Sequence, residues 1–424
     1  MHQCHRQFIV EGESGVRRMV RIIGFVVTLA VCLFPGKDAV GQIRDPEAIF
    51  EYAEQREETR IDTHLGPNIV DRLFEPFKRF DERMESVGGP QIVGLYAPIW
   101  QTGTQSGVND LLSQSFNLYA EWELLHCHGN EGTLYAFYLH ESDSLGNSAG
   151  QFADSAGTTI LANDDVGDAT NALGHFAWTQ NFLDGNVQIS VGQLALKIML
   201  DQNDYAGWDR TSFMAQPSAG NPVRNFPIAA LGIDTSVHLT DNLQASFLIA
   251  DADGYPFYPD FKSFGRRFVY VPGFVYTPTI CGWGKGRYEV NFSHIERTER
   301  FGGSGPSSSV WLFSFQQELS PKLATFFRFG TGDGRRTPVQ QSLATGFVFT
   351  QAFGYNNDWL GVGFIWNDPS DNTRRDDYGM ETYWRLQMTQ NVQVTPDVQL
   401  YFDPSRNSNR DLEAAFGLRL GVNF

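Results

Sequence analysis

The sequence predicts an all-β chain: a transmembrane antiparallel β-barrel of sixteen strands behind a short N-terminal helical segment. Three observations carry this. The closing stretch DLEAAFGLRLGVNF alternates apolar and polar side chains and stops on an aromatic, Phe424. Short and long links alternate along most of residues 91–424. The composition is rich in aromatics and glycine, with 34 Phe, 15 Tyr, 9 Trp and 42 Gly in 424 residues. It is poor in charge, at 19%, where globular domains average about 25%.

In the closing stretch Ala414, Phe416, Leu418, Leu420, Val422 and Phe424 fall on one side, and Glu413, Ala415, Gly417, Arg419, Gly421 and Asn423 on the other. A period of two belongs to a strand. Charges opposite a lipid-compatible stripe suit a barrel strand that faces a watery lumen. A half-buried soluble strand looks the same, so the links decide. Short ones fall at HGNEG, FLDGN, TDN, SP, GYNN and TQN, and long polar ones between them, such as NDPSDNTRRDD. Short turns at one end and long loops at the other mark an outer-membrane barrel with an even strand number.

The strands are expected near 92–100, 113–126, 132–141, 172–181, 187–196, 226–239, 242–252, 266–277, 285–294, 308–319, 322–331, 342–353, 357–366, 376–390, 392–403 and 413–424. In the tenth, Trp311, Phe313 and Phe315 oppose Ser314, Gln316 and Glu318; in the fifteenth, Val394, Val398 and Leu400 oppose Gln393, Thr395, Asp397 and Gln399. Trp122, Trp359, Trp366 and Phe424 are expected in the interfacial aromatic girdles. Pro396 predicts a local bulge or a missing ladder bond rather than a strand break.

Ahead of the barrel, Arg17, Arg18 and Arg21 precede the apolar run at 22–34, which is followed by the small-residue exit Ala39, Val40, Gly41. That order reads as a secretory signal over residues 1–41, with Met19 an alternative start. The run is too short for a spanning helix, which needs about 20 residues. Residues 42–90 form a helical periplasmic or plug segment, because Ile69, Val70, Leu73, Phe74, Phe77, Phe80 and Met84 recur at helical spacing. Residues 91–424 are the barrel domain. Cys127 and Cys281 remain after the signal, with a bridge between them left open. His126–Cys127–His128 lacks a second cluster at metal-binding spacing, and no motif calls for a metal or cofactor. The net charge of -17 excludes a nucleic-acid partner.

The blocks also carry a family resemblance. ETYWRLQMTQNVQVTPDVQLYFDPSRN at 381–407, followed by GLRLGVNF, resembles the closing region of the OprB-like carbohydrate-selective porins, with Trp384 where a second Tyr is usual. Val191, Gly192, Leu194, Asp201, Asn203 and Phe213 are similar to an early block of that family, and Gln317, Phe326 and Arg328 to a middle one. The resemblance implies a bacterial outer-membrane channel through which sugars diffuse passively, lined at its constriction by arginines and carboxylates.

Sugar flux favours several modest hydrogen bonds over one deep charged well. Arg287, Arg328, Arg385 and Arg419 offer forked donors, and Glu289, Glu381, Asp397 and Glu413 offer acceptors. Tyr383 and Tyr401 suit stacking on pyranose faces, and Gln399 adds an amide. Each of these side chains can equally brace the wall without touching solute. The long links near 142–171 and 197–225 are the candidates for folding inward. Expected partners are outer-membrane lipid or lipopolysaccharide and small sugars, with a homotrimer and a cell-wall contact through the helix both open. A barrel hydrolase and a structural barrel with a blocked lumen are the alternatives, but His175, His238 and His294 pair with no evident serine or carboxylate.

Overall fold

The computed structural model describes residues 63–424 apart from 67–68, 128, 165–170, 208–210, 256, 263, 300–304 and 408. The predicted signal and the first part of the helical segment lie outside the described residues. After the helix α1 (Ile69–Ser86) come β1 (Gln91–Gly103), β2 (Asp110–Cys127), β3 (Asn130–Asp143), β4 (Ala172–Phe182), β5 (Val187–Leu194), β6 (Ala230–Thr240), β7 (Leu243–Asp251) and β8 (Phe268–Tyr276). The second half holds β9 (Gly286–Ile295), β10 (Ser308–Ser320), β11 (Leu323–Gly332), β12 (Val339–Thr350), β13 (Trp359–Pro369), β14 (Asp377–Gln387), β15 (Val392–Phe402) and β16 (Leu412–Asn423). Each strand pairs antiparallel with its sequence neighbours, and β1 closes on β16 from Leu95 opposite Asn423 to Gly103 opposite Ala415. Closure leaves no strand edge unpaired, the condition for backbone to cross hydrocarbon. Sixteen strands were expected, and all sixteen lie where the alternation placed them.

The pleat sorts the side chains as the period of two requires. Trp311, Phe364, Phe416 and Leu418 point outward and are about half exposed, while Ser314, Gln393, Gln399, Glu413 and Arg419 are buried inside. Such an apolar outer surface is a lipid-facing belt rather than a water-facing one. Trp359 corrects the girdle expectation: it faces inward, beside Tyr205 at 5.7 Å and under the Arg385 guanidinium at 3.8 Å. Trp366 stands seven residues on in the same strand, so the two tryptophans cannot share a face.

At Pro396 the strand continues. Its pairing with Leu418 of β16 is intact, whereas the ladder to β14 is interrupted between Tyr383–Asp397 and Leu386–Val394 with the register kept. The lost bond sits where proline has no N–H to give. Cys127 and Cys281 are exposed and are not bridged to each other.

The start of β1, the end of β16 and the short turns share one rim. There the Phe424 ring lies over Gly94, where an added Cβ would come within 2.4 Å of it. Gly94 and Phe424 exchange backbone hydrogen bonds of 2.7 and 3.0 Å. Phe116, Phe74 and Phe77 surround the ring at 6.1, 6.3 and 5.1 Å between centroids. Phe424→Ala removes this apolar contact at the closing seam and is expected to cost ~1–3 kcal/mol. The urea midpoint of barrel refolded into lipid vesicles should fall accordingly, and an unchanged midpoint would show that the ring adds nothing to closure.

Candidate channel constriction

Two of the long links fold into the barrel. Residues 144–171 include α2 (Ala149–Ala156), and residues 195–229 include α3 (Leu196–Met199) and α4 (Gln216–Ala219). α2 is fixed at its start by a reciprocal Ser148–Gln151 cap and at its end by Gly157 in the left-handed region, φ 78°. Its apolar side, Ala149, Phe152, Ala153 and Ala156, is buried. Leu196, Met199 and Leu200 pack on Leu248, Val269, Val271 and Ile295, so the wall at β7–β9 is apolar where α3 covers it.

Wall side chains hold these segments by their backbones. Glu289 accepts the Asp201 and Gln202 N–H groups at 3.2 and 3.3 Å, and Arg287 Nη2 donates to Gln202 Oε1 at 2.8 Å. Arg328 Nε donates to Asp201 Oδ1 at 2.9 Å, and its Nη1 to the Ala206 carbonyl at 2.7 Å and to that of Ser218. Glu381 accepts from the Met214 and Ala215 N–H groups. Arg419 donates to the Ser212 carbonyl at 2.7 Å and Arg385 to that of Thr211 at 3.4 Å. Gln399 and Gln101 both donate to the Ala162 carbonyl at 2.8 Å. Tyr383 meets the Phe213 ring edge-on at 4.7 Å. Phe213 fits because Gly363 lies behind it, where a Cβ would sit 2.9 Å from the ring.

All eleven residues singled out from the sequence therefore face the barrel interior, and all are buried. Arg287, Glu289, Arg328, Glu381, Tyr383, Arg385, Gln399 and Arg419 meet the inward segments directly. Tyr401 donates to Gln399 at 2.6 Å, which in turn donates to Asp397 at 2.9 Å. Glu413 stands apart near the loop rim, accepting from Thr104 at 2.7 Å and paired with Arg410 at 3.3 Å.

A further set of charges belongs to the segments themselves, with Asp164 buried and Lys197 and Arg224 partly accessible. Asp164 meets Lys197 Nζ at 2.5 Å and Arg224 Nη2 at 3.6 Å, with side-chain exposures of 10%, 17% and 13%. One acid from the first inward segment thus faces two bases from the second. Asp201, behind them, takes φ 65°, which aspartate adopts more readily than most residues. Burial raises its pKa, opposed by Arg328, Arg224 and the Asn221 N–H. The sequence pointed to Asp201 only as part of a resembling block, and to Asp164, Lys197 and Arg224 not at all, because their meeting depends on the path of two links.

Residues 284–424 match the Carbohydrate-selective porin, OprB family. That match spans the closing third of the chain. Porin AaxA of Chlamydia pneumoniae is 21% identical over 76% of this chain and 81% of its own length. Porin AaxA of Chlamydia abortus is 23% identical over 60% of this chain and 58% of its own. A high-pH structure of OprB from Pseudomonas putida shares the fold, with TM-score 0.69 and 15% identity, covering 82% of this chain and 97% of that one. An integral, multi-pass outer-membrane barrel follows from the closed sheet and its apolar belt, with which the match to this family agrees.

In this barrel, Arg328→Met should strip the β5–β6 link of its largest anchor and leave Asp201 buried without its partner, at a cost of ~3–5 kcal/mol. Limited proteolysis of the variant in vesicles should cut the β5–β6 link while the strands survive. Equal resistance in variant and parent would mean that the arginine does not hold the segment.

Proposed function

We propose that this protein is a passive outer-membrane channel for carbohydrates and similar small hydrophilic solutes. The observation that carries the proposal is the pinning of two inward segments to a closed polar wall, with the Asp164–Lys197–Arg224 set at their meeting point. A solute crossing there meets the partly accessible Lys197 and Arg224, with the field of Asp164 behind them. Weak, plural contacts allow entry and release, whereas a single deep site would stall flux.

The wall residues serve this channel by fixing the segments that narrow it. In this reading Arg385 and Arg419 act on sugar passage through residues 211–215. Tyr383, Tyr401, Asp397 and Glu413 complete the polar lining. The family is one of porins, not of enzymes, and among the described residues no cluster suited to a metal ion occurs. The inferred division of the chain is a signal at 1–41, a helical segment at 42–90 and the porin barrel at 91–424.

Purified barrel in a planar bilayer should give stable conductance steps whose current falls as a sugar is added. Silence together with hydrolase activity would favour an enzyme, and silence alone a blocked structural barrel. Asp164→Asn should shift ion selectivity toward anions, and Lys197→Met with Arg224→Gln toward cations. Each shift should be roughly several-fold, as expected for about 1 kcal/mol per charge at a wet constriction. Arg419→Ala should weaken sugar block in an otherwise intact barrel. Reversal potentials and block constants that stay at the parent values would remove these residues from the permeation path.

A further inference from the structure

α1 presents its apolar residues in one arc, Val70, Leu73, Phe74, Phe77, Phe80 and Met84, against a charged side of Arg72, Glu75, Lys78, Arg79, Glu82 and Arg83. The barrel uses only part of that arc. Phe74 and Phe77 reach the outward-facing Phe424 ring at the turn rim, at 6.3 and 5.1 Å. The chain just after the helix is held by Trp122, whose indole N–H donates to the Gly88 carbonyl at 3.0 Å. Near the helix start, Asp71 accepts the Gln390 N–H at 3.0 Å. These contacts set the helix alongside the outer surface at the depth of Phe424 and Trp122, not inside the lumen.

Among the described residues, Leu73, Phe77 and Phe80 keep much of their surface uncovered. Leu73 is 66% exposed and Phe77 and Phe80 are 48% exposed each. Trp122, Leu124 and Leu125 at the end of β2, where Trp122 holds Gly88, are also exposed. The uncovered side of the helix is therefore continuous with the barrel's lipid-facing belt.

We infer that α1 lies in the headgroup region of the inner leaflet of the outer membrane, with Leu73, Phe77 and Phe80 entering the acyl chains. The occupant of this surface is phospholipid, because the belt that it extends is already lipid-covered. An amphipathic helix in this position buries its apolar face at the boundary and leaves its charges in the aqueous layer. The charged side carries both signs, Arg72, Lys78, Arg79 and Arg83 beside Asp71, Glu75, Glu82 and Glu85, while Asp81 lies on the barrel-facing side next to Phe74. Attachment is thus by apolar contact and needs no anionic lipid.

The test is nitroxide labelling of the mature barrel in zwitterionic phosphatidylcholine vesicles, with the native cysteines Cys4, Cys32, Cys127 and Cys281 replaced by serine where present. Labels at Leu73→Cys and Phe80→Cys should be relaxed several-fold more by oxygen than by a water-soluble nickel chelate. Labels at Arg79→Cys and Glu82→Cys should show the reverse. If nickel reaches positions 73 and 80 as readily as 82, the helix lies in water and the inference fails. If both reagents are excluded there, a protein, a second copy or cell-wall material covers the face instead, and the inference fails equally. As a second measurement, Leu73→Gln with Phe80→Gln should speed amide hydrogen exchange across α1 at least tenfold while the strands keep their protection. Unchanged exchange would contradict lipid burial without dependence on the labels.

Discussion

A backbone that crosses hydrocarbon must satisfy every N–H and C=O within the protein, and the pairing of β1 with β16 is where this chain meets that demand. Without that pairing the sheet would expose two edges to lipid. The period of two along each strand, the apolar outer belt and the polar inner wall all follow once the cylinder is closed. The end of the chain takes part directly: Phe424 bonds through its backbone to Gly94 and covers it with its ring.

Closure creates a second problem inside. Charged and amide side chains on the inner face are sheltered from bulk water, where an unpaired charge is costly. The protein meets this with its own links. Glu289 and Glu381 take backbone N–H groups of residues 201–202 and 214–215, while Arg328, Arg385 and Arg419 take carbonyls at 206, 211, 212 and 218. The same bonds that satisfy the wall narrow the lumen. Bracing and lining, alternatives for any one side chain in the sequence, are here consequences of a single arrangement, and Asp164, Lys197 and Arg224 tie the two segments to each other.

The barrel was legible because its rules are local. Alternation within β16, β15 and β10 assigned faces from neighbouring residues alone, and link lengths assigned the ends. Even Pro396 was readable, since the absence of an N–H is a property of the residue itself. Trp359 was misplaced because aromatic type was weighed above strand parity; counting from Trp366 would have turned it inward. The inward links were foreseen from their length, but not their contacts. Asp164 and Lys197 are far apart in sequence and meet only because Ala162 is held by Gln101 and Gln399, and Asp201 by Arg328. No pattern in one dimension encodes that convergence. The apolar arc of α1 was visible, whereas its place outside the wall depends on Phe424 and Trp122.

The central claim is that wall side chains hold the inward segments as firmly as strands hold one another. Amide hydrogen exchange of the barrel in lipid vesicles tests it most directly, at Asp201, Gln202, Met214 and Ala215. Exchange at these four positions should be as slow as in β10 and β14. Exchange at the rate of open surface loops would contradict it.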